Sequence, residues 1–205
     1  MRLKLLGILT AVATCVGLVA ATGSPAAADT ASRSSSRGLG YTQVVVDPAV
    51  YQLIASAGIT PSPVSPAVAF PYRGTLAARF PITGVAAPAT VTHAGGLTLA
   101  AGADTITLTD FNIELARLTV SGNVSGSIGT VGRADLFTLG LSHRPWLGLL
   151  SLRLTATAAD ALNATFGVSA FSAGDIFGYA TVVPRLGRHH GGWHHGDRHL
   201  SGLTR

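Results

Sequence analysis

The chain has 205 residues, with 14 Lys and Arg against 9 Asp and Glu, and a formal net charge of +5. This excess is small and the basic residues are scattered along most of the chain, so the composition does not indicate a nucleic-acid-binding surface. The single cysteine, Cys15, excludes an intramolecular disulfide.

The first 28 residues have the pattern of a signal peptide. Arg2 and Lys4 precede an apolar run over residues 5–21, and the helix breakers Gly23 and Pro25 follow. Three alanines at 26–28 are side chains that a signal peptidase accepts, which predicts cleavage before residue 29. We therefore expect a secreted or cell-envelope-associated protein. Cys15 lies in a loose match to a lipid-attachment site, which leaves a lipoprotein as the alternative.

The remainder of the chain divides into three parts. Residues 29–40 are small and polar and predict a flexible leader, residues 41–183 predict a single β-rich domain, and residues 184–205 predict a disordered tail rich in Gly, His and Arg. Every later apolar stretch is much shorter than the roughly 20 residues that a membrane-spanning helix needs. We expect no transmembrane segment after removal of the signal.

Two short helices are predicted within the domain. Asp47 and Pro48 form a cap and first-turn pair, and apolar residues then recur at helical spacing as far as Gly58. Near the other end, Thr157 is predicted to cap a second helix that ends at Gly167.

Alternation of apolar and polar residues predicts strands over the rest of the domain. The clearest is 75–82, where Leu76, Ala78, Phe80 and Ile82 are expected on the buried face and the residues between them outside. The other predicted strands are 42–46, 89–93, 97–99, 105–109, 118–124, 136–141, 150–154 and 179–183. The expected fold class is all-β, an antiparallel sandwich or flattened barrel with two short helices.

One predicted strand contains a break. Ile106 and Leu108 alternate inward, whereas Phe111 and Ile113 keep the spacing of two with the opposite parity. A slip of one residue reverses every following side chain, so a bulge or bend is predicted at Asp110.

The sequence lacks the motifs of common catalytic sites, including GxSxG, HExxH, the P-loop and the dinucleotide glycine fingerprint. Ser142 and His143 are adjacent, and neighbours in a strand point to opposite faces, so they do not form a nucleophile and base pair. The loop 143–146 (HRPW) is interpreted either as an exposed recognition tip or, with Trp146 buried, as a pinned connection. We predict that the protein is not an enzyme.

Three segments carry a resemblance to a known family. They are 93–97 (HAGGL), 104–110 (DTITLTD) and 135–139 (DLFTL). With most of residues 43–183, they resemble a group of exported actinobacterial β-rich proteins of unassigned role and, more distantly, the HtaA-type haem-uptake domain of Gram-positive bacteria. The resemblance implies haem as cofactor, with Tyr51 as the iron ligand and His93 as its hydrogen-bonding partner. A phenolate suits ferric haem, and a nearby donor favours the charged form of the phenol.

Ordinary structural roles for these two residues stand beside this interpretation. Tyr51 borders the apolar face of its helix and fits a core position with the hydroxyl at the rim. His93 fits a turn position in which its ring binds backbone atoms.

The tail provides a separate candidate site. His189, His190, His194, His195 and His199 place five imidazoles within eleven residues, and neutral imidazole binds Zn or Cu. The alternative is a solvated tail without a ligand.

Taken together, the sequence predicts a secreted, non-enzymatic binding protein whose partner is a small-molecule ligand or an envelope component. Haem is the specific ligand that the resemblance implies. A structural or adhesive surface protein is the alternative, and weak divalent-metal binding by the tail is an independent one.

Overall fold

The computed structural model describes residues 38–185. Within this range the chain forms eleven strands and two helices. In chain order they are β1 (Gly40–Val46), α1 (Pro48–Ser56), β2 (Thr60–Val64), β3 (Val68–Tyr72), β4 (Thr75–Ala86), β5 (Thr90–His93), β6 (Gly96–Ala101), β7 (Asp104–Glu114), β8 (Thr119–Gly126), β9 (Gly129–Leu141), β10 (Leu150–Leu154), α2 (Ala156–Phe166) and β11 (Ile176–Pro184).

Eight of these strands close into an antiparallel barrel. The order around it is β7-β5-β4-β1-β11-β10-β9-β8, and β8 pairs back onto β7. An open sheet would expose unpaired backbone groups along its edge strands. Because the barrel is closed, its wall has no free edge. The predicted all-β class, with a barrel and two helices, is confirmed.

Strand β7 changes partner along its length. Its first half pairs with β6 and its second half with β5. The change falls at Asp110, which has a φ of 53°, and the register against β8 shifts between Thr109 and Asn112. The break that the reversed parity predicts at Asp110 is therefore confirmed.

Strands β2 and β3 were not predicted, because their sequences TPSPV and VAFPY contain proline. Proline cannot donate to a β-ladder and argues against a central strand. Both strands lie at the edge of the sheet, where proline is tolerated. β2 pairs only with β6, and β3 pairs only with the first half of β4.

The burial pattern of β4 corrects one expectation. Phe80 and Ile82 are buried as predicted, but Thr75 and Ala77, expected on the exposed face, are buried as well. Ala77 belongs to a second apolar cluster with Val45, Leu147 and Tyr179. A layer outside the barrel wall therefore covers this part of β4.

The helices begin where side chains satisfy free backbone groups. Asp47 accepts a hydrogen bond from the amide of Ala49 at 2.9 Å, which confirms the predicted start of α1. Helix α2 starts two residues earlier than expected, because Thr155 and not Thr157 caps the amide of Ala158, at 3.1 Å. Gly167, left-handed with φ 62°, ends it as predicted.

The first and last described strands are neighbours. Gly40 lies opposite Pro184, and the amide of Arg185 donates to the carbonyl of Leu39 at 2.9 Å. The predicted signal peptide, most of the leader and the His-rich tail lie outside the described residues. Neither helix of residues 38–185 has the length and apolar character that would let it cross a membrane.

Candidate functional site

His93 lies inside the barrel. It is 4% exposed and lines an internal cavity of about 60 Å³ to which all eight barrel strands contribute a side chain. Apart from His93 and Thr42, the lining is apolar: Val44, Phe80, Leu97, Leu108, Phe111, Ile113, Val120, Phe137, Leu152, Phe177 and Ala180.

Both ring nitrogens of His93 already have partners. Nδ1 lies 3.0 Å from the carbonyl oxygen of Phe111, so it carries the proton and donates. Nε2 then accepts from the hydroxyl of Thr42 at 2.7 Å. Burial lowers the pKa of His93, with the Phe111 hydrogen bond partly opposing that shift. A neutral ring in this arrangement is fully satisfied.

Tyr51 lies on α1, half-buried against the main apolar core. It is not among the residues that line the cavity around His93. Successive residues of an α-helix are rotated by about 100°, so the side chain of Tyr51 points roughly 160° away from those of Ala49 and Leu53. The structure thus places His93 in the barrel interior and does not bring Tyr51 to it. Their joint role at iron stays a prediction.

A larger space lies on the outside of the barrel. It is a groove of about 440 Å³ between the first turns of α1, the loop after β9, the end of β10 and the segment before β11. We call it the outer groove. Its lining consists of Asp47, Ala49, Val50, Leu53, His143, Arg144, Arg153, Ala170, Phe171, Gly174, Asp175, Ile176 and Tyr179.

A polar network forms one wall of the outer groove. The Oδ2 atom of Asp47 accepts from Arg144 Nη1 and from the hydroxyl of Tyr179, each at 3.1 Å. His143 Nε2 lies 3.3 Å from that same hydroxyl. Tyr179 is 0% exposed, whereas His143 is exposed, so the network runs from the barrel wall out to solvent.

The hydrogen bonds fix the protons in this network. Burial, followed by the charge and hydrogen bond of Asp47, raises the pKa of Tyr179, with Arg144 and Arg153 opposing. The phenol therefore keeps its proton at neutral pH and donates it to Asp47, so its oxygen accepts from His143 Nε2–H. In the neutral ring this leaves the Nδ1 lone pair of His143 as the free one.

The outer groove combines apolar and cationic surface. Val50, Leu53 and Phe171 supply apolar side chains, while Arg144 and Arg153 supply positive charge. Arg153 also donates to the carbonyl oxygen of Gly174 at 3.1 Å. The volume falls within the roughly 300–1,000 Å³ typical of small-molecule sites, and the chemistry suits an amphipathic ligand that carries carboxylates.

Sequence reasoning missed most of this groove. The sequence predicts only a helix cap at Asp47 and a strand residue at Tyr179, and it indicates no contact between either of them and His143. The loop 143–146 gave a partial signal as a recognition tip. Its alternative, a buried Trp146, is wrong, because that side chain is 59% exposed and Leu147 is the buried anchor.

The described residues contain no group of three or more His, Cys, Asp or Glu placed to hold a metal ion. The five tail histidines, His189, His190, His194, His195 and His199, lie outside the described range. Metal binding there stays a prediction.

Fold and site together define a closed antiparallel barrel with a helix-walled groove on its outer surface. The fold is similar to that of the haem-binding protein HtaB from Corynebacterium glutamicum, with a TM-score of 0.51 and 11% identity over 70% of this chain and 90% of that one. A second similar structure is the C-terminal domain of HtaA from the same organism, with a TM-score of 0.49 and 14% identity over 70% and 94% of the two chains. The similarity to HtaB confirms the distant HtaA-type resemblance at the level of the fold. No family model and no curated protein matches the sequence.

Proposed function

We propose that this is a secreted or envelope-associated, non-enzymatic protein that binds haem in the outer groove. The observation that carries the proposal is the combination, in one space of about 440 Å³, of apolar side chains, two arginines and an exposed imidazole. The similar structure HtaB, a haem-binding protein, supports haem as the ligand to test first.

Each part of haem has a matching group in the outer groove. The apolar macrocycle would pack against Leu53 and Phe171, and the propionate carboxylates would face Arg144 and Arg153. His143 is the exposed imidazole, and imidazole is a common axial ligand of haem iron. Tyr179 is a poorer ligand because it is buried and keeps its proton.

Hemin titration tests the proposal. Residues 29–205 are purified, hemin is added, and the absorbance spectrum is recorded for the wild type and for His143→Ala, Tyr51→Phe and His93→Gln. We expect a shifted haem band that is lost or displaced in His143→Ala and kept in the other two. Arg144→Ala with Arg153→Ala should weaken binding, while Arg117→Ala, an exposed arginine elsewhere, serves as the matched control.

The outcomes separate the sites. If the wild-type spectrum does not change, haem is not the ligand. If Tyr51→Phe alone removes the signal, the ligand set implied by the family resemblance is the correct one and the outer groove is not the site.

A structural or adhesive surface role is the second candidate. Leu141, Trp146 and Leu149 are exposed apolar side chains on and beside the loop after β9. Replacing Trp146 and Leu149 by serine should reduce adsorption of the protein to isolated cell envelopes if this loop attaches it to a surface. Unchanged adsorption would exclude that role for the loop.

Metal binding by the tail is tested independently. Zn or Cu is titrated into the full mature chain and into a form that ends at Arg185. A signal confined to the longer form would assign the metal to the five tail histidines.

A further inference from the structure

A second apolar cavity lies under α2 at one end of the barrel. Its volume is about 60 Å³, and its lining is apolar except for Thr157. It shares Leu108, Phe137 and Phe177 with the cavity around His93, so the two voids lie on either side of these three side chains. The barrel interior thus contains a narrow apolar path in two segments.

Water is a poor occupant of this path. One buried water needs about 10–15 Å³ and two to four polar partners. Each cavity exceeds that volume several times. The cavity around His93 offers only the polar groups of His93 and Thr42, which bond each other, and the cavity under α2 offers only Thr157. Dry apolar voids of this kind favour apolar guests.

The mouth of the cavity under α2 is apolar as well. Ile128 and Val131 belong to its lining and are nevertheless 45% and 57% exposed. Ile128 lies in the turn between β8 and β9, and Val131 lies near the start of β9. Both are opposite Ala158 and Ala161 of α2, whose small side chains leave room between the helix and this hairpin. Large apolar side chains that are half in solvent and half in a cavity mark an entrance for an apolar ligand.

The strand ends on either side of this turn contain glycines that no other residue replaces easily. Gly129 and Gly132 have φ of 88° and 87°, and a Cβ on Gly126 would lie 2.1 Å from the carbonyl oxygen of Thr105. These glycines set the path that carries Ile128 and Val131 over the cavity.

We propose that the cavity under α2 binds a single linear hydrocarbon chain, such as that of a fatty acid, which enters between the β8–β9 turn and α2. Two small voids in sequence suit a thin flexible chain better than a wide ring system, and eight-stranded barrels are large enough to hold one small ligand. The polar end of the ligand stays in solvent at the mouth. The site shares no lining residue with the outer groove and does not depend on haem binding.

Fluorescence of cis-parinaric acid tests the proposal on the mature chain. We expect a saturable increase with one probe per protein, reversed by dodecanoic acid and by 1-dodecanol, because the hydrocarbon and not the carboxylate is recognised. Ala161→Phe fills the mouth and should weaken binding by about tenfold or more. The same substitution at Ala164, on the exposed side of α2, is the matched control and should leave binding unchanged.

A second variant tests the path itself. Phe177→Leu opens the partition between the two cavities and should favour dodecanoic over octanoic acid by several-fold relative to the wild type. Circular dichroism confirms folding of each variant, and hemin spectra should be the same for Ala161→Phe and wild type.

Three results would overturn the proposal: no saturable probe signal, an equal signal in Ala161→Phe, or displacement by the acid but not by the alcohol. If Phe177→Leu changed the affinities for dodecanoic and octanoic acid by the same factor, the bound chain would not reach the cavity around His93.

Discussion

Two histidines of this protein each lie beside a hydroxyl group, in opposite settings. His93 is in the barrel interior, 2.7 Å from the Thr42 hydroxyl, and its other nitrogen donates to Phe111. His143 is in the outer groove, 3.3 Å from the Tyr179 hydroxyl, with its ring exposed. A hydroxyl partner is therefore found both for a ring whose two nitrogens are hydrogen-bonded and for a ring that has only one nitrogen hydrogen-bonded. The difference lies in whether a ring nitrogen remains available.

The comparison predicts that substitutions in the interior act on stability and those in the outer groove act on binding. The largest effect is expected for Phe137→Ala, since this buried ring lines both cavities and packs against Phe177 with centroids 5.5 Å apart. We expect a loss of about 3–5 kcal/mol in the free energy of unfolding, measured by urea denaturation. Trp146→Ala, at an exposed site, should change it by no more than about 0.5 kcal/mol. Equal losses would show that the interior is not the stabilising core.

The next effect concerns His93 directly. His93→Leu leaves the buried Thr42 hydroxyl without a partner and should cost about 1–3 kcal/mol in unfolding free energy. Adding Thr42→Val should make the double variant less destabilised than the sum of the two single changes. His143→Leu is the counterpart in the outer groove, and we expect at most about 0.5 kcal/mol there. A larger loss of unfolding free energy in His143→Leu would contradict the prediction that outer-groove residues act on binding and interior residues on stability.

The pH dependence of stability follows from the lowered pKa of His93. The folded state disfavours the charged ring, so the unfolded chain binds more protons around and below its ordinary pKa of 6.5. Stability is complete above that pH, falls as the pH drops towards the folded-state pKa, and levels off below it. The slope is at most about 1.4 kcal/mol per pH unit for one group. Urea denaturation between neutral and mildly acidic pH should show it in the wild type but not in His93→Gln.

A smaller loss of stability than for the interior substitutions is expected for Asp47→Asn, because Asp47 lines the outer groove but also caps α1. Asparagine also caps helices well, so α1 keeps its start, but the charge that faces Arg144 and Tyr179 is removed. Because Arg144 is partly exposed, we expect only about 1 kcal/mol in unfolding free energy. The pKa of Tyr179 should fall, because the negative charge of Asp47 is, after burial, the second cause of its rise. Tyrosinate absorbance during alkaline titration measures this, and an unchanged titration would exclude Asp47 as a cause.

The sequence predicted the parts of the fold that depend on neighbouring residues. The cap at Asp47, the alternation from Ala78 to Ile82 and the break at Asp110 are local signals, and each is confirmed. The proline-containing strands β2 and β3 were missed, because their peripheral position is a property of the sheet. Thr155 and Thr157 could not be told apart by pattern alone, since both precede the apolar face of α2.

The outer groove could not be predicted in the same way. Its central contact joins Asp47 and Tyr179, which are 132 residues apart, and Arg144 reaches Asp47 from 97 residues away. Nothing in the local sequence of any of the three marks the other two. The closure of the barrel brings them together, because β1 pairs with β11 along the whole length of β1 and places Tyr179 beside the end of β1.

The pairing of Gly40 with Pro184 has a practical consequence. The domain begins and ends at one place on the barrel, so a short peptide could join residues 39 and 185 while new termini are opened elsewhere, for example at the turn beside Gly102. Such a circular permutant would retain every barrel ladder. The join would lie at the opposite end of the β1–β11 pair from Asp47 and Tyr179, so it would leave the outer groove unchanged.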